Sequence, residues 1–383
     1  MPKLIKNADV YAPKHIGRRD LLIEGEKILK IAPHIGGYEG LEGVEVFDAN
    51  GAPVAPAYID LHIHITGGGG EQGPSSRVPE LPLTALTKNG VATVLGLLGT
   101  DGVSRSLENL LYKCRALNEE GVSCYMLTGS YQYPSPTITG SVLRDIALID
   151  RVIGVKIALA DHRSSNLTVQ ELIRLGSDAR LGGIISGKCS LVTIHMGGGK
   201  ERLNRLFEAL EQSDVPLKTF FPTHVARSRE MIADAARFTR MGGCIDFTAG
   251  EPEGTLALMR DAIDTLGAVP ERMTLSSDAY GSQPLFDENG VCTGMTYTSP
   301  ATLHEELCAA VNGGLFTLEE ALCFLTSNPA HVLGLEGVKG TLSEGADADL
   351  IVYGDGLSIR EVFARGRHMV KSGIPLVKGK FEE

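Results

Sequence analysis

The sequence predicts an α/β protein: a (β/α)8 TIM barrel joined to a small composite β-sandwich built from both ends of the chain. Three observations carry that prediction. Eight apolar runs alternate with amphipathic helical stretches between Ala55 and Gly334. Short alternating segments precede the first run and return after the last. Histidine, lysine and aspartate fall at or near the ends of the apolar runs, the face where a barrel of parallel strands keeps its chemistry.

The elements follow in order. Leu4–Tyr11, Asp20–Glu24, Lys27–Ile31 and Val44–Phe47 are separated by turn residues and read as antiparallel β structure. The barrel strands are expected at about 55–64, 91–99, 123–131, 152–161, 191–196, 217–224, 244–250 and 273–281. Helices lie between them, among them Leu107–Glu120, Lys200–Gln212 and Arg229–Met241. Beyond Gly334 the β pattern returns in Gly340–Tyr353 and Ile359–Lys371. Residues 1–54 and 335–383 are therefore expected to form one β-sandwich domain, with the barrel, 55–334, inserted between its halves.

Composition narrows the class of partner. An apolar share of 43% and a charged share of 22% are those of a soluble globular protein. A net charge of −11 argues against nucleic acid or an anionic membrane. Seven cysteines without a C-x-x-C pair suggest reduced thiols in the cytoplasm. The first residues carry charges where a signal peptide needs an apolar run. No stretch approaches the roughly 18 apolar residues of a membrane span.

The first barrel run ends in His62-Ile-His64, followed by Ile-Thr-Gly-Gly-Gly-Gly-Glu71. Residues i and i+2 of a strand share a face, so both imidazoles aim into one space. His-x-His alone is a weak signal, and the remaining strands decide its meaning. The fourth run carries Lys156, the fifth ends in His195, the sixth in His224, and the eighth holds Asp278. Singly, each histidine reads more readily as a core residue and Asp278 as a helix N-cap. Lys156 is the informative residue, because a lysine set between Gly-Val and Ile-Ala-Leu is rare in a buried strand unless paired. An ammonium cannot hold cations, but a lysine carboxylated by CO2 is an anion able to bridge two metals. Together the six residues suit zinc.

His62, His64, Lys156, His195, His224 and Asp278 match the pattern of the amidohydrolase superfamily with a binuclear centre and a carboxylated lysine. Within it, Gly67–Glu71, Thr128–Tyr131, Asp161-His-Arg163, Pro222–Arg227 and Ser276–Pro284 resemble the isoaspartyl dipeptidases. Ala279-Tyr280 departs from that family's smaller or polar residues. The resemblance implies two zinc ions per subunit, a large homo-oligomer (an octamer), and hydrolysis of the isopeptide bond of β-aspartyl dipeptides. Glu71 then suits the substrate ammonium, and Arg163 and Arg227 its carboxylates. Gly69, Thr100 and Ser282 would add hydrogen bonds. Asp278 would shuttle the proton of a metal-bound water, and Tyr131 would polarise the carbonyl. Two other readings compete: a cyclic amidohydrolase of the dihydroorotase or hydantoinase type, and a scaffold that keeps the fold without the chemistry. The scaffold should lack ligands, and the cyclic enzymes have no evident need of Glu71.

Overall fold

The computed structural model describes residues 1–286 and 292–382. A nine-stranded sheet takes Lys3–Tyr11, His15–Glu24, Lys27–Ala32, Glu45–Asp48 and Pro53–Pro56 from the start of the chain. Its other four strands, Leu350–Tyr353, Ile359–Ala364, Arg367–Lys371 and Ile374–Pro375, come from the end. The two halves meet where Leu350–Tyr353 runs antiparallel to Pro53–Pro56, with Leu350 opposite Pro56. Alternation of side chains sends Ile5, Leu21, Ile23, Val54, Leu350 and Phe363 into a core of this sheet's own. Strands from both ends of the chain thus lie in one sheet.

From Pro56 the chain passes directly into a parallel series. Its strands are β1 (Tyr58–Ile63), β2 (Val91–Gly96), β3 (Ser123–Gly129), β4 (Val152–Leu159), β5 (Leu191–Met196), β6 (Phe220–Thr223), β7 (Ile245–Thr248) and β8 (Met273–Ser276). Strands β1 to β6 form one hydrogen-bonded sheet in sequence order, and β7 pairs with β8. A bond from Val225 N to Asp246 O (3.4 Å) links β6 towards β7. On the other side, Ile63 bridges Ala279 in parallel, and His64 N donates to Ala279 O at 2.9 Å. Every residue of β1, β2, β4 and β5 is buried, as in parallel sheets covered on both faces.

The helices sit where caps and periodicity put them. Leu107–Glu120 starts at Ser106, whose side chain accepts from Asn109 N, and stops at Gly121 with φ 113°. Lys200–Gln212 is shorter than expected, Asn204–Glu211, because Gly197–Gly199 and the left-handed Arg202 delay its start. The predicted strand 217–224 opens as a 3-10 turn after Pro216. The predicted strand 273–281 ends at Ser276, and the chain enters a hairpin, Ser282–Phe286 with Cys292–Tyr297. Pro284 and Gly294 broke the pattern by which that hairpin could have been read. Among the described residues no helix is long and apolar enough to cross a membrane.

Candidate metal centre and substrate cavity

A cavity of about 660 Å³ opens over the C-terminal ends of the parallel strands. All the residues predicted for the site line it except His62 and Lys156, which lie beneath, 1% and 0% exposed. Asp278 Oδ1 stands 3.1 Å from His64 Nε2 and 3.5 Å from His62 Nε2. Lys156 Nζ lies 2.9 Å from His62 Nε2. The rings of His62 and His195 flank that of His224 at 4.6 and 4.5 Å between centroids. Ligand atoms of His62, His224 and Asp278 fall within 4.8 Å of one another.

Local backbone explains how the strand ends present these groups. His224 and Asp278 have φ of 61° and 49°, a left-handed conformation that costs an L-residue of order 1–3 kcal/mol. Each follows its strand at once or nearly so and turns its side chain over the rim. Tyr280 shares the conformation (φ 59°) and packs its ring 5.1 Å from that of Tyr297. The Ala279-Tyr280 departure thus joins the rim to the hairpin, while Ala279 supplies the carbonyl that accepts from His64 N.

The buried polar atoms fit a metal. Among the described residues His64 Nδ1 and His224 Nε2 are buried without a hydrogen-bond partner, a costly state for imidazole nitrogens that a cation would relieve. Burial and the neighbouring charge of Lys156 push His62 well below its ordinary pKa, so it is the neutral base a metal needs. Burial likewise pushes His195 down to about 3, against the pull of Asp161. Burial brings Lys156 down to about 7. Burial would raise Asp278, but its hydrogen bond from His64 and nearby positive charge outweigh that and keep it a carboxylate.

Several supporting groups were not singled out from the sequence. Asp161 takes Arg163 bidentately (2.9 and 2.8 Å) and His195 Nε2 at 3.0 Å; burial opposes its charge, but these bonds hold it well below the carboxylate range. His224 Nδ1 is paired with Thr248 Oγ1 at 2.6 Å. Asp60 accepts from His62 N and from both the amide and hydroxyl of Ser277. Asp246 accepts from Thr223, Thr274 and Ser276, and Thr223 Oγ1 reaches His62 Nδ1 at 3.3 Å. Burial raises these two carboxyls to about 6 and about 7. A lone aspartate inside an apolar strand was the available signal, the same one that marked Lys156.

On the cavity wall, Glu71 Oε2 accepts from Ser282 Oγ at 2.9 Å, and its Oε1 lies 3.7 Å from Arg163 Nη1. Thr100 Oγ1 is 3.5 Å from the same Arg163 nitrogen. The Tyr131 hydroxyl meets His195 Nδ1 at 2.6 Å, and burial raises its pKa, so it stays a neutral donor. Arg227 gives Met196 O only a long bond, 3.4 Å.

Comparison with known proteins points to one superfamily. Residues 233–373 match the Amidohydrolase family. The structure is similar to that of a beta-aspartyl dipeptidase from Fervidobacterium islandicum AW-1 in complex with beta-Asp-Leu dipeptide. That similarity has 41% identity, 98% of each chain covered and a TM-score of 0.89. Among curated relatives, adenine deaminase 2 of Agrobacterium fabrum is 25% identical over 350 residues, 88% of this chain and 51% of the relative. A dihydroorotase of Staphylococcus aureus is 36% identical over 107 residues, 28% of this chain and 24% of the relative. The chain thus spans about half the length of the first curated relative and a quarter of the second. It belongs to the beta-aspartyl dipeptidase family of the amidohydrolases, a membership that implies a metal cofactor.

Proposed function

We propose that the protein is a metallo-dipeptidase that hydrolyses the isopeptide bond of β-aspartyl dipeptides. The observation that carries this reading is a carboxylate, Glu71, fixed by Ser282 on the wall of a cavity whose floor is the histidine and aspartate cluster. A β-aspartyl dipeptide brings one ammonium and two carboxylates, so it needs one anion and several donors around a hydrolytic centre. Glu71 takes the ammonium; Arg163 and Arg227 take the carboxylates; Thr100 and the Gly69 backbone add polar contacts.

In this reading the eight parallel strands form a closed (β/α)8 barrel, and residues 1–54 with 335–383 form the flanking domain. His62, His64, His195, His224 and Asp278 would hold two zinc ions, with Lys156, once carboxylated, as the shared anionic ligand. The chemistry those ions supply when bound is a water of pKa about 7 and a polarised carbonyl. Asp278 accepts the proton lost by the nucleophile and returns it to the leaving amine. The neutral Tyr131 hydroxyl donates to the developing oxyanion, after exchanging its bond to His195 for one to substrate. Asp161 keeps Arg163 extended over the cavity. The reading includes a homo-oligomer, which sedimentation tests directly.

Purified protein given β-Asp-Leu, α-Asp-Leu and dihydroorotate side by side is the test. The reading expects turnover of β-Asp-Leu to exceed the others by orders of magnitude, since a mispositioned ammonium would enter the cavity away from the Glu71 carboxylate that should pair with it. Preference for dihydroorotate would move the protein to the cyclic amidohydrolases.

A further inference from the structure

The glycine run before Glu71 is held tightly in place. A Cβ at Gly67 would lie 2.1 Å from the Val78 carbonyl oxygen, and one at Gly69 would lie 2.3 Å from that of Ser76. Their φ values, 77° and 81°, add a second reason for glycine. Backbone bonds close the arrangement: Val78 N donates to Gly68 O (3.0 Å), Gly70 N to Ser76 O (3.2 Å), Leu81 N to Ile65 O (3.1 Å) and Gly68 N to Tyr280 O (2.8 Å). Two chain segments, 65–70 and 76–81, are thus pressed backbone to backbone beside the metal ligands.

Arg105, from the loop that follows β2, is buried in this knot at 7% exposure. Its guanidinium donates to the carbonyls of Thr66, Gly68 (2.8 Å) and Val78 (2.8 Å). No carboxylate of the described residues is paired with it, and burial followed by repulsion from Arg77 pulls its pKa down. A buried cation without an anionic partner is expensive, and three backbone acceptors from two segments are what it receives instead. A lysine could not span them, because the planar fork directs its N–H groups outward in fixed directions.

We propose that Arg105 is a positioning residue that staples the glycine loop to segment 76–81 and thereby fixes Glu71 at one distance from the metal ligands. The proposal rests on the reading of Glu71 as the partner of the substrate ammonium. It adds that the selection for that ammonium is set by Arg105, which does not touch the substrate. With the staple in place, Glu71 meets the ammonium only where a β-linked substrate carries it; without it, the loop and its carboxylate relax.

Two measurements on Arg105→Met and Arg105→Lys, both in metal-loaded protein, test this. The first is amide hydrogen exchange of residues 66–78, which needs no substrate. The staple predicts exchange faster by tenfold or more in Arg105→Met, with the strands unchanged. Unaltered exchange overturns the staple, whatever the activity. The second compares the KM of β-Asp-Leu with the Ki of N-succinyl-leucine, the same molecule without the ammonium. KM should rise by about 10- to 100-fold, while kcat and the Ki change less than about threefold. Equal weakening of both ligands, or a loss confined to kcat, overturns the link to Glu71. Arg105→Lys keeps the charge and should show the same split, so it decides the matter if Arg105→Met fails to fold; recovery of wild-type values by lysine would also overturn the proposal. Failure of the wild-type protein to cleave β-Asp-Leu would instead overturn the functional reading, and the exchange experiment would still judge the staple.

Discussion

Two lysines are buried in this molecule, and their surroundings are opposites. Lys339 joins the outer sheet to the start of β3: its Nζ lies 2.7 Å from Asp347, 2.6 Å from Asp349 and 2.7 Å from Ser123 Oγ. Burial opposes its charge, yet the two carboxylates outweigh burial and raise its pKa. Lys156, within β4 beneath the cavity, meets only imidazole among the described residues, and burial brings it down to about 7. The first lysine has every donor satisfied and is a clasp. The second is held where a simple ammonium is poorly solvated, beside imidazoles that are themselves unprotonated. A buried lysine that the fold declines to pair is a place for chemistry, and a neutral amine is what CO2 requires.

Substitutions at the rim and at the clasp should therefore fail in different ways. Lys156→Ala is expected to lose metal and activity together while the protein stays folded, with partial recovery from added short carboxylic acids. Metal analysis with and without acetate checks this; full metal content in the variant would break the contrast. Asp278→Asn should keep the fold and at least one metal while kcat falls by on the order of 10³, because nucleophile activation and leaving-group protonation are both lost. A change confined to KM would move Asp278 to a binding role. Glu71→Gln should lower kcat/KM for β-Asp-Leu by about 10²-fold with little effect on N-succinyl-leucine binding. At the clasp, Lys339→Met leaves the buried Asp349 without its cation, while the half-buried Asp347 keeps Lys27 at 2.6 Å, and should cost about 3 kcal/mol of stability. Its kcat should stay close to wild type, measured well below the lowered Tm; loss of metal from this variant would mean that the two regions are not independent.

How much of this was legible follows from the same contrast. The cluster of histidines, Lys156 and Asp278 announced itself because polar groups interrupt apolar strands, as at Lys156 in Gly-Val-Lys-Ile-Ala-Leu. Asp60 and Asp246 interrupt their strands in the same way, but without a fold in hand an aspartate in a strand points to no particular partner. Asp161 was visible within Asp-His-Arg, yet its hold on His195 is made between β4 and β5 and has no sequence spacing. Arg105 lies in Asp-Gly-Val-Ser-Arg-Ser, which reads as a solvent-facing loop; its burial exists only once segments 65–70 and 76–81 close over it. Lys339 was hidden likewise, since its two aspartates belong to a turn-rich stretch. The glycines were legible as special residues, but close packing and flexibility leave the same trace in a sequence.

In the proposed reading Lys156 serves as an anion. Protein reconstituted from its metal-stripped form with zinc and 13C-bicarbonate measures it directly, by carbamate signal and metal content together. One carbamate and two metal ions per subunit are expected. Reconstitution should be slow below pH 7, where Lys156 is an ammonium, and fast above it, where the amine is free to take up CO2. Two bound metal ions with no carbamate signal at any pH would contradict the account.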